Sequence, residues 1–104
     1  MTSDPQKQKA RFWRKYLRLT RGRVSALRAL EIIIRENHDT ALTETLTQVL
    51  GSLKSGAAFS EAFGQHPSVF SPSVLELIKS AEDSGAWDDI LEEVAAGLEE
   101  GTFD

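Results

Sequence analysis

Apolar residues in this chain recur at three- and four-residue spacing from one end to the other, and no stretch alternates convincingly at period two. That spacing predicts helices and argues against strands. At about 100° per residue, Phe12, Trp13, Tyr16, Leu17, Leu19 and Thr20 share one face of a first helix, and Lys7, Arg11, Arg14, Lys15, Arg18 and Arg21 fill the other. Gly22 interrupts it. A second stripe of Leu27, Leu30 and Ile34, with Ala26 and Ile33 beside it, backs onto Arg28, Glu31 and Arg35, and Glu36-Asn37-His38-Asp39 reads as the next turn. The third helix starts near Thr40 with Leu42, Leu46, Val49, Leu50 and Leu53 inward and Gly56 as its left-handed terminal residue. A short fourth helix carries Phe59, Ala62 and Phe63 and stops at Gly64 and His66-Pro67, because the residue before proline is pushed out of the helical region.

Ser71-Pro72 reads as an N-cap and first helical residue, and Val74, Leu77, Ile78 and Ala81 give a fifth stripe ending at Ser84-Gly85. The sixth helix opens with Asp88 and Asp89, whose charges suit the positive end of the macrodipole, and buries Ile90, Leu91, Val94, Ala95 and Leu98. With 104 residues and short connections, these segments predict an all-α fold, a compact antiparallel six-helix bundle around one core.

The net charge of -4 conceals a strong asymmetry. Residues 1–35 hold 10 Lys+Arg against 2 Asp+Glu, and the remainder holds 2 against 14. Such a distribution concerns partners or self-association before it concerns fold. Nucleic acid is disfavoured, because no recognition-helix pattern accompanies the arginines and the rest of the chain is acidic. A membrane surface is a second reading, with Phe12, Trp13 and Tyr16 at the lipid interface and the arginines on anionic headgroups; burial of the same aromatic face inside the bundle is the plainer alternative. Two copies can also neutralise each other, so a homodimer is left open. The longest aliphatic run, Ile32 to Ile34, is far short of the roughly 18 residues of a spanning helix.

Chemistry is sparse. There is no cysteine, and the two histidines fall in a polar turn (His38) and before a proline (His66), where surface or capping roles are expected. Gly51 and Gly56 have phosphate-loop spacing, but Ala57 and Ala58 stand where lysine and a hydroxyl residue are required. Glu82, Asp83, Asp88, Asp89, Glu92 and Glu93 lack the regular ligand alternation of a calcium loop and read as a solvated helix face. No catalytic residue, metal site or cofactor is expected.

From Tyr16 to about Glu100 the chain resembles the cytoplasmic domain of the type II secretion system protein F family, inner-membrane platform proteins shared with type IV pilus assembly. The most specific segment is SVFSPSVLELIKSAEDSGAWDDILEEVA from Ser68: a phenylalanine, a proline, an apolar helix, an acidic pair, Ser-Gly, then an acidic helix start. Ala29-Leu30-Glu31-Ile32, VLGSLKSGAAFSEAFGQHP from Val49 and the basic segment before Gly22 support it. The resemblance implies residues 1–15 as a basic extension and start of the first helix, 16–100 as the family domain and 101–104 as a tail. It departs at Arg21-Gly22-Arg23-Val24-Ser25, where an Ala-Gly-Pro turn is usual, and at Ala58, where a serine N-cap paired with Glu61 is usual, a loss of about 1 kcal/mol.

Relatives carry two such domains with membrane-spanning helices, so the chain is expected to be an excised N-terminal domain or a stand-alone paralogue. The implied role is a non-catalytic scaffold at the inner face of the bacterial inner membrane, docking the assembly ATPase and neighbouring platform proteins. The alternative is a stand-alone membrane-surface or regulatory adaptor of the same fold. The expected polar contacts are Arg11, Arg14, Arg18 and Arg21 on the first helix and Asp88, Asp89, Glu92 and Glu93 on the last.

Overall fold

In the computed structural model, described for residues 5–37 and 39–102, six helices follow one another: α1 (Pro5–Arg21), α2 (Ala26–Glu36), α3 (Thr40–Lys54), α4 (Phe59–Gly64), α5 (Pro72–Ser84) and α6 (Trp87–Glu100). No strand occurs among the described residues, and the fold is the expected all-α bundle. Each helix packs on its neighbours in sequence, and α1 closes the ring against α6 in the most extensive of these interfaces. The Cα radius of gyration is 12.6 Å, close to the roughly 13 Å of a single globule of 100 residues.

Local chemistry sets the ends. Ser25, Asp39 and Ser71 each accept a hydrogen bond from the backbone N–H three residues on, satisfying one of the amides that a helix start leaves without a partner. Gly56, at φ +101°, terminates α3 as the spacing predicts: the N–H groups of Gly56 and Ala57 donate to the carbonyls of Leu53 and Ser52. Gly85 (φ +78°) and Gly101 (φ +79°) end α5 and α6 in the same conformation.

The end of α1 turns on an arginine rather than on a glycine. Gly22 follows the last helical residue, but the left-handed position falls one residue later, on Arg23 at φ +70°. There the N–H groups of Arg23 and Val24 donate to the carbonyls of Thr20 and Leu19, the same double closure seen at Gly56. An arginine therefore occupies a position that glycine fills at lower cost.

The core is aromatic at its centre. Trp13, Phe63 and Phe70 are its largest fully buried side chains, with Trp13 and Phe63 centroids 5.3 Å apart and Phe63 edge-on to Phe70 at 4.8 Å. Phe70 lies between α4 and α5, where no periodic pattern could mark it; His66, just before the proline, accepts the N–H groups of Val69 and Phe70 at its carbonyl and shapes that loop. Leu27, expected inward, is 38% exposed. It sits in the first turn of α2, where the Cα–Cβ vector tilts back toward the helix start and away from the stripe of Ala29, Leu30 and Ile33 that is buried. His38 lies outside the described residues.

At α4 the capping loss expected from Ala58 is partly made good. Glu61 accepts the Ala58 N–H at 3.2 Å, so the carboxylate half of the box survives. Glu82, from the last turn of α5, accepts the Ser60 N–H at 3.1 Å and supplies from another helix the acceptor that a serine would have supplied locally. Partial burial of Glu82 raises its pKa, but the hydrogen bonds from Ser60 and the charge of Lys79 outweigh this and hold the carboxyl below its ordinary value.

Candidate functional site

The eight charged residues expected to meet partners all lie on α1 and α6, the two helices that close the ring. On α1 the aromatic stripe faces the core, with Trp13 2% and Tyr16 3% exposed, which turns the basic stripe outward. This burial removes the aromatic anchors that a membrane-inserted α1 would use and leaves charge alone to hold it to a lipid surface.

The basic stripe divides according to which helix lies alongside. On one flank, Arg14 bridges two carboxylates of α6, with Nη1 2.6 Å from Glu92 and Nη2 2.7 Å from Glu99, while Nε donates to the second Glu99 oxygen at 3.2 Å. Arg21 adds a longer contact to Glu92 at 3.4 Å. The two-pronged Arg14–Glu99 contact fixes the guanidinium plane as well as its position. Hydrogen bonding to Arg14 holds Glu92 and Glu99 below the ordinary carboxylate value, and the carboxylates raise Arg14 further above its already high one. On the other flank Lys15 pairs with Glu36 of α2.

Between the flanks runs an exposed ridge of Lys7, Arg11 and Arg18, and among the described residues no ion pair joins any of the three. On α6, Asp89, Glu93 and Glu100 form the matching outer ridge, and Asp88 lies exposed near the helix start. The structure therefore brings Arg14, Arg21 and Glu92 together in a seam and leaves Arg11, Arg18, Asp88, Asp89 and Glu93 facing water. Glu99 is the seam residue that the sequence reading omits. Its signal is its position seven residues after Glu92, two turns along the same face.

Two small concavities border α1. One, of about 150 Å³, lies between α1, α2 and the start of α3; the other, of about 220 Å³, is mostly apolar and is walled by Tyr16, Phe59, Trp87 and Leu91. Burial raises the Tyr16 phenol above its ordinary value, so it stays protonated at neutral pH. Among the described residues there is no group of three or more His, Cys, Asp or Glu arranged to hold a metal ion. No described helix is long and apolar enough to cross a membrane.

Comparison with known proteins agrees with the resemblance. Residues 12–102 match the family model of the type II secretion system (T2SS), protein F. The type IV pilus assembly protein PilC of Thermus thermophilus is 37% identical over 76 residues, covering 73% of this chain and 18% of the relative. The corresponding figures are 31% over 91 residues, 88% and 23%, for the type 4 fimbrial assembly protein PilC of Pseudomonas putida. For the type IV pilus assembly protein TapC of Aeromonas hydrophila they are 29% over 72 residues, 69% and 17%. The chain spans less than a quarter of the length of these relatives.

Proposed function

The chain belongs to the type II secretion system protein F family, and from that premise we propose that it is a non-catalytic docking domain of a secretion or pilus-assembly platform. Its charged outer faces on α1 and α6 bind the assembly ATPase and neighbouring platform proteins at the cytoplasmic face of the inner membrane. The observation that carries this reading is the division of charge. Arg14, Arg21, Glu92 and Glu99 are engaged within the fold, while Lys7, Arg11 and Arg18 on one helix and Asp89, Glu93 and Glu100 on the next stay exposed side by side. Parallel ridges of opposite sign fix the register of a partner and speed its approach more than they add affinity.

The test is capture of the cognate assembly ATPase by the tagged chain. Reversal of Arg11 and Arg18 to Glu, or of Asp89 and Glu93 to Lys, is expected to weaken capture and its dependence on salt, with the helical CD spectrum unchanged. Absence of capture by the wild type, or undiminished capture by both variants, refutes the reading. Arg14 and Glu92 are left intact because their reversal disturbs the α1–α6 seam itself.

A further inference from the structure

The apolar cavity beside α1 carries a feature that docking through the outer ridges does not use. Its volume is about 220 Å³, and three of its walls are aromatic: Tyr16 of α1, Phe59 at the start of α4 and Trp87 at the start of α6. The Phe59 and Trp87 centroids are 5.1 Å apart with the rings inclined at 57°, so they meet at an angle rather than stack. Val24 and Leu91 extend the apolar lining.

Polar groups enter this lining at a few points. Tyr16 is 3% exposed and its phenol stays protonated, yet among the described residues its Oη has no hydrogen-bond partner. Unlike the Trp13 indole N–H, Oη is not sealed from solvent, and this cavity is the space that Tyr16 lines. Thr20 donates its hydroxyl proton to the Leu17 carbonyl and so presents lone pairs. The charged lining residue is Asp88, exposed and in no ion pair among the described residues. Arg21 and Arg23, at the nearby turn, are absent from the lining, and Arg21 reaches Glu92 instead.

Aromatic walls, acceptors and one unbalanced negative charge specify the occupant: an apolar body with several donors and a positive charge. An acidic group is repelled by Asp88, and an aliphatic one covers Tyr16 Oη without pairing it. The positive end of the α6 dipole lies close by, but Asp88 and Asp89 in the first turn outweigh its charge of about half a unit. A guanidinium meets each requirement, because it is planar, stacks on aromatic faces and carries donors only. The volume corresponds to about seven waters, room for one arginine side chain and too little for a typical small-molecule site.

We infer that the cavity between α1, α4 and α6 receives an arginine side chain of a partner protein. Its methylenes lie against Val24 and Leu91, and its guanidinium sits among Tyr16, Phe59 and Trp87 and donates to Tyr16 Oη and Asp88. The inference rests on the docking reading for the existence of a partner and adds the chemistry of one of its residues. The surrounding segment is expected to be basic, because Asp89 and Glu93 continue the negative surface from Asp88 along α6.

The test is an NMR titration of the 15N-labelled chain with a capped peptide carrying one arginine among glycines and serines. Peptides with lysine, leucine or glutamate in its place form separate arms. The expected result is movement of the Trp87 indole N–H resonance with the arginine peptide, roughly threefold less with lysine, and much smaller movement of the Trp13 indole, which is sealed in the core. Tyr16→Phe keeps the ring and removes only Oη, and is expected to weaken binding about fivefold, the effect of one hydrogen bond. Asp88→Asn is expected to weaken it about threefold and to flatten its salt dependence, as for an exposed ion pair. Equal shifts with the leucine or lysine peptide, or undiminished binding by either variant in a chain with an otherwise native spectrum, overturn the inference. So does a Trp87 resonance that moves with the concentration of the chain alone, which means that a second copy fills the cavity.

Tyr16→Phe also separates this inference from the docking reading. Undiminished capture of the ATPase by this variant, when the charge reversals abolish it, removes the arginine site and leaves the docking reading standing. Selective shifts by the arginine peptide in a chain that captures no ATPase do the reverse.

Discussion

Substituting Arg23 with glycine should make this protein more stable, although it removes a large side chain and adds a flexible residue. Arg23 holds φ +70°, where an L-residue brings its Cβ against the following carbonyl at a cost of roughly 1–2 kcal/mol. Its side chain is exposed and, among the described residues, joins no ion pair, so truncation forfeits little. Glycine removes the steric term and returns about 0.5–1 kcal/mol through the greater freedom of the unfolded chain. The net gain is about 0.5–1 kcal/mol, which for a domain of this size raises Tm by about 2–8 °C.

Two companions make the experiment discriminating. Arg23→Ala keeps the Cβ and should stay within about 0.5 kcal/mol of wild type. Gly22→Ala should be tolerated, because an added Cβ meets only the carbonyls of Leu19 and Arg18 at 3.4 and 3.5 Å, ordinary contact distances. The assay is urea unfolding followed by circular dichroism, with thermal melts alongside. If Gly22 were instead the left-handed residue, the order would invert: Gly22→Ala would lower Tm and Arg23→Gly would leave it unmoved. That result refutes the placement of the turn.

Gly51 lies exposed inside α3 with open space where a Cβ would sit, so Gly51→Ala should stabilise by about 0.5–1 kcal/mol in the same unfolding assay. Phe63→Ala empties the centre of the aromatic cluster and should cost about 3–5 kcal/mol; a loss below 1 kcal/mol would mean that the ring is not packed as described. Glu82, Glu92 and Glu99 titrate below the ordinary carboxyl value in the folded chain. Their contribution is therefore present at neutral pH and declines as pH drops below the unfolded value of about 4.5 through the folded ones. Urea midpoints across pH 7 to 3 should show that decline, and Glu92→Gln with Glu99→Gln should flatten it; an unchanged slope would show that the seam carboxylates are not held by Arg14 in solution.

Much of this architecture is written locally. Periodicity located six helices, the caps at Ser71 and Gly56 are legible as residue types in the right order, and most inward residues of α5 and α6 follow from spacing, with Leu77 only half-buried against the core and Ile90, expected to be buried, half-exposed at its edge. Helix formation and capping depend on residues three or four positions apart, so a linear reading captures them. The exceptions lie at ends and loops. Leu27 matches the apolar pattern but belongs to a first turn, and Phe70 is buried without belonging to any pattern. At the corner after α1, the pattern marks the break at Gly22 but not the bearer of the positive φ, Arg23, because which residue turns left depends on where the last carbonyls find donors.

The amphipathic face of α1 was likewise readable, but not its environment: the same stripe suits a lipid surface or a protein core, and only the positions of Phe63 and Phe70 from distant parts of the chain decided for the core. The charged face was legible as a basic stripe. Its division into a seam held by Glu92 and Glu99, a contact with Glu36 and an outer ridge of Lys7, Arg11 and Arg18 was not. A sequence specifies a side chain's angle around its own helix; which helix lies at that angle is set by the closure of the ring, through contacts more than 70 residues apart. The same holds for Glu82 capping α4. By itself, the sequence determined the helices, the family and the opposition of charge between the two parts of the chain. Tertiary structure alone decided which charges are spent within the fold and which remain available to a partner, because pairing depends on proximity that local spacing does not encode.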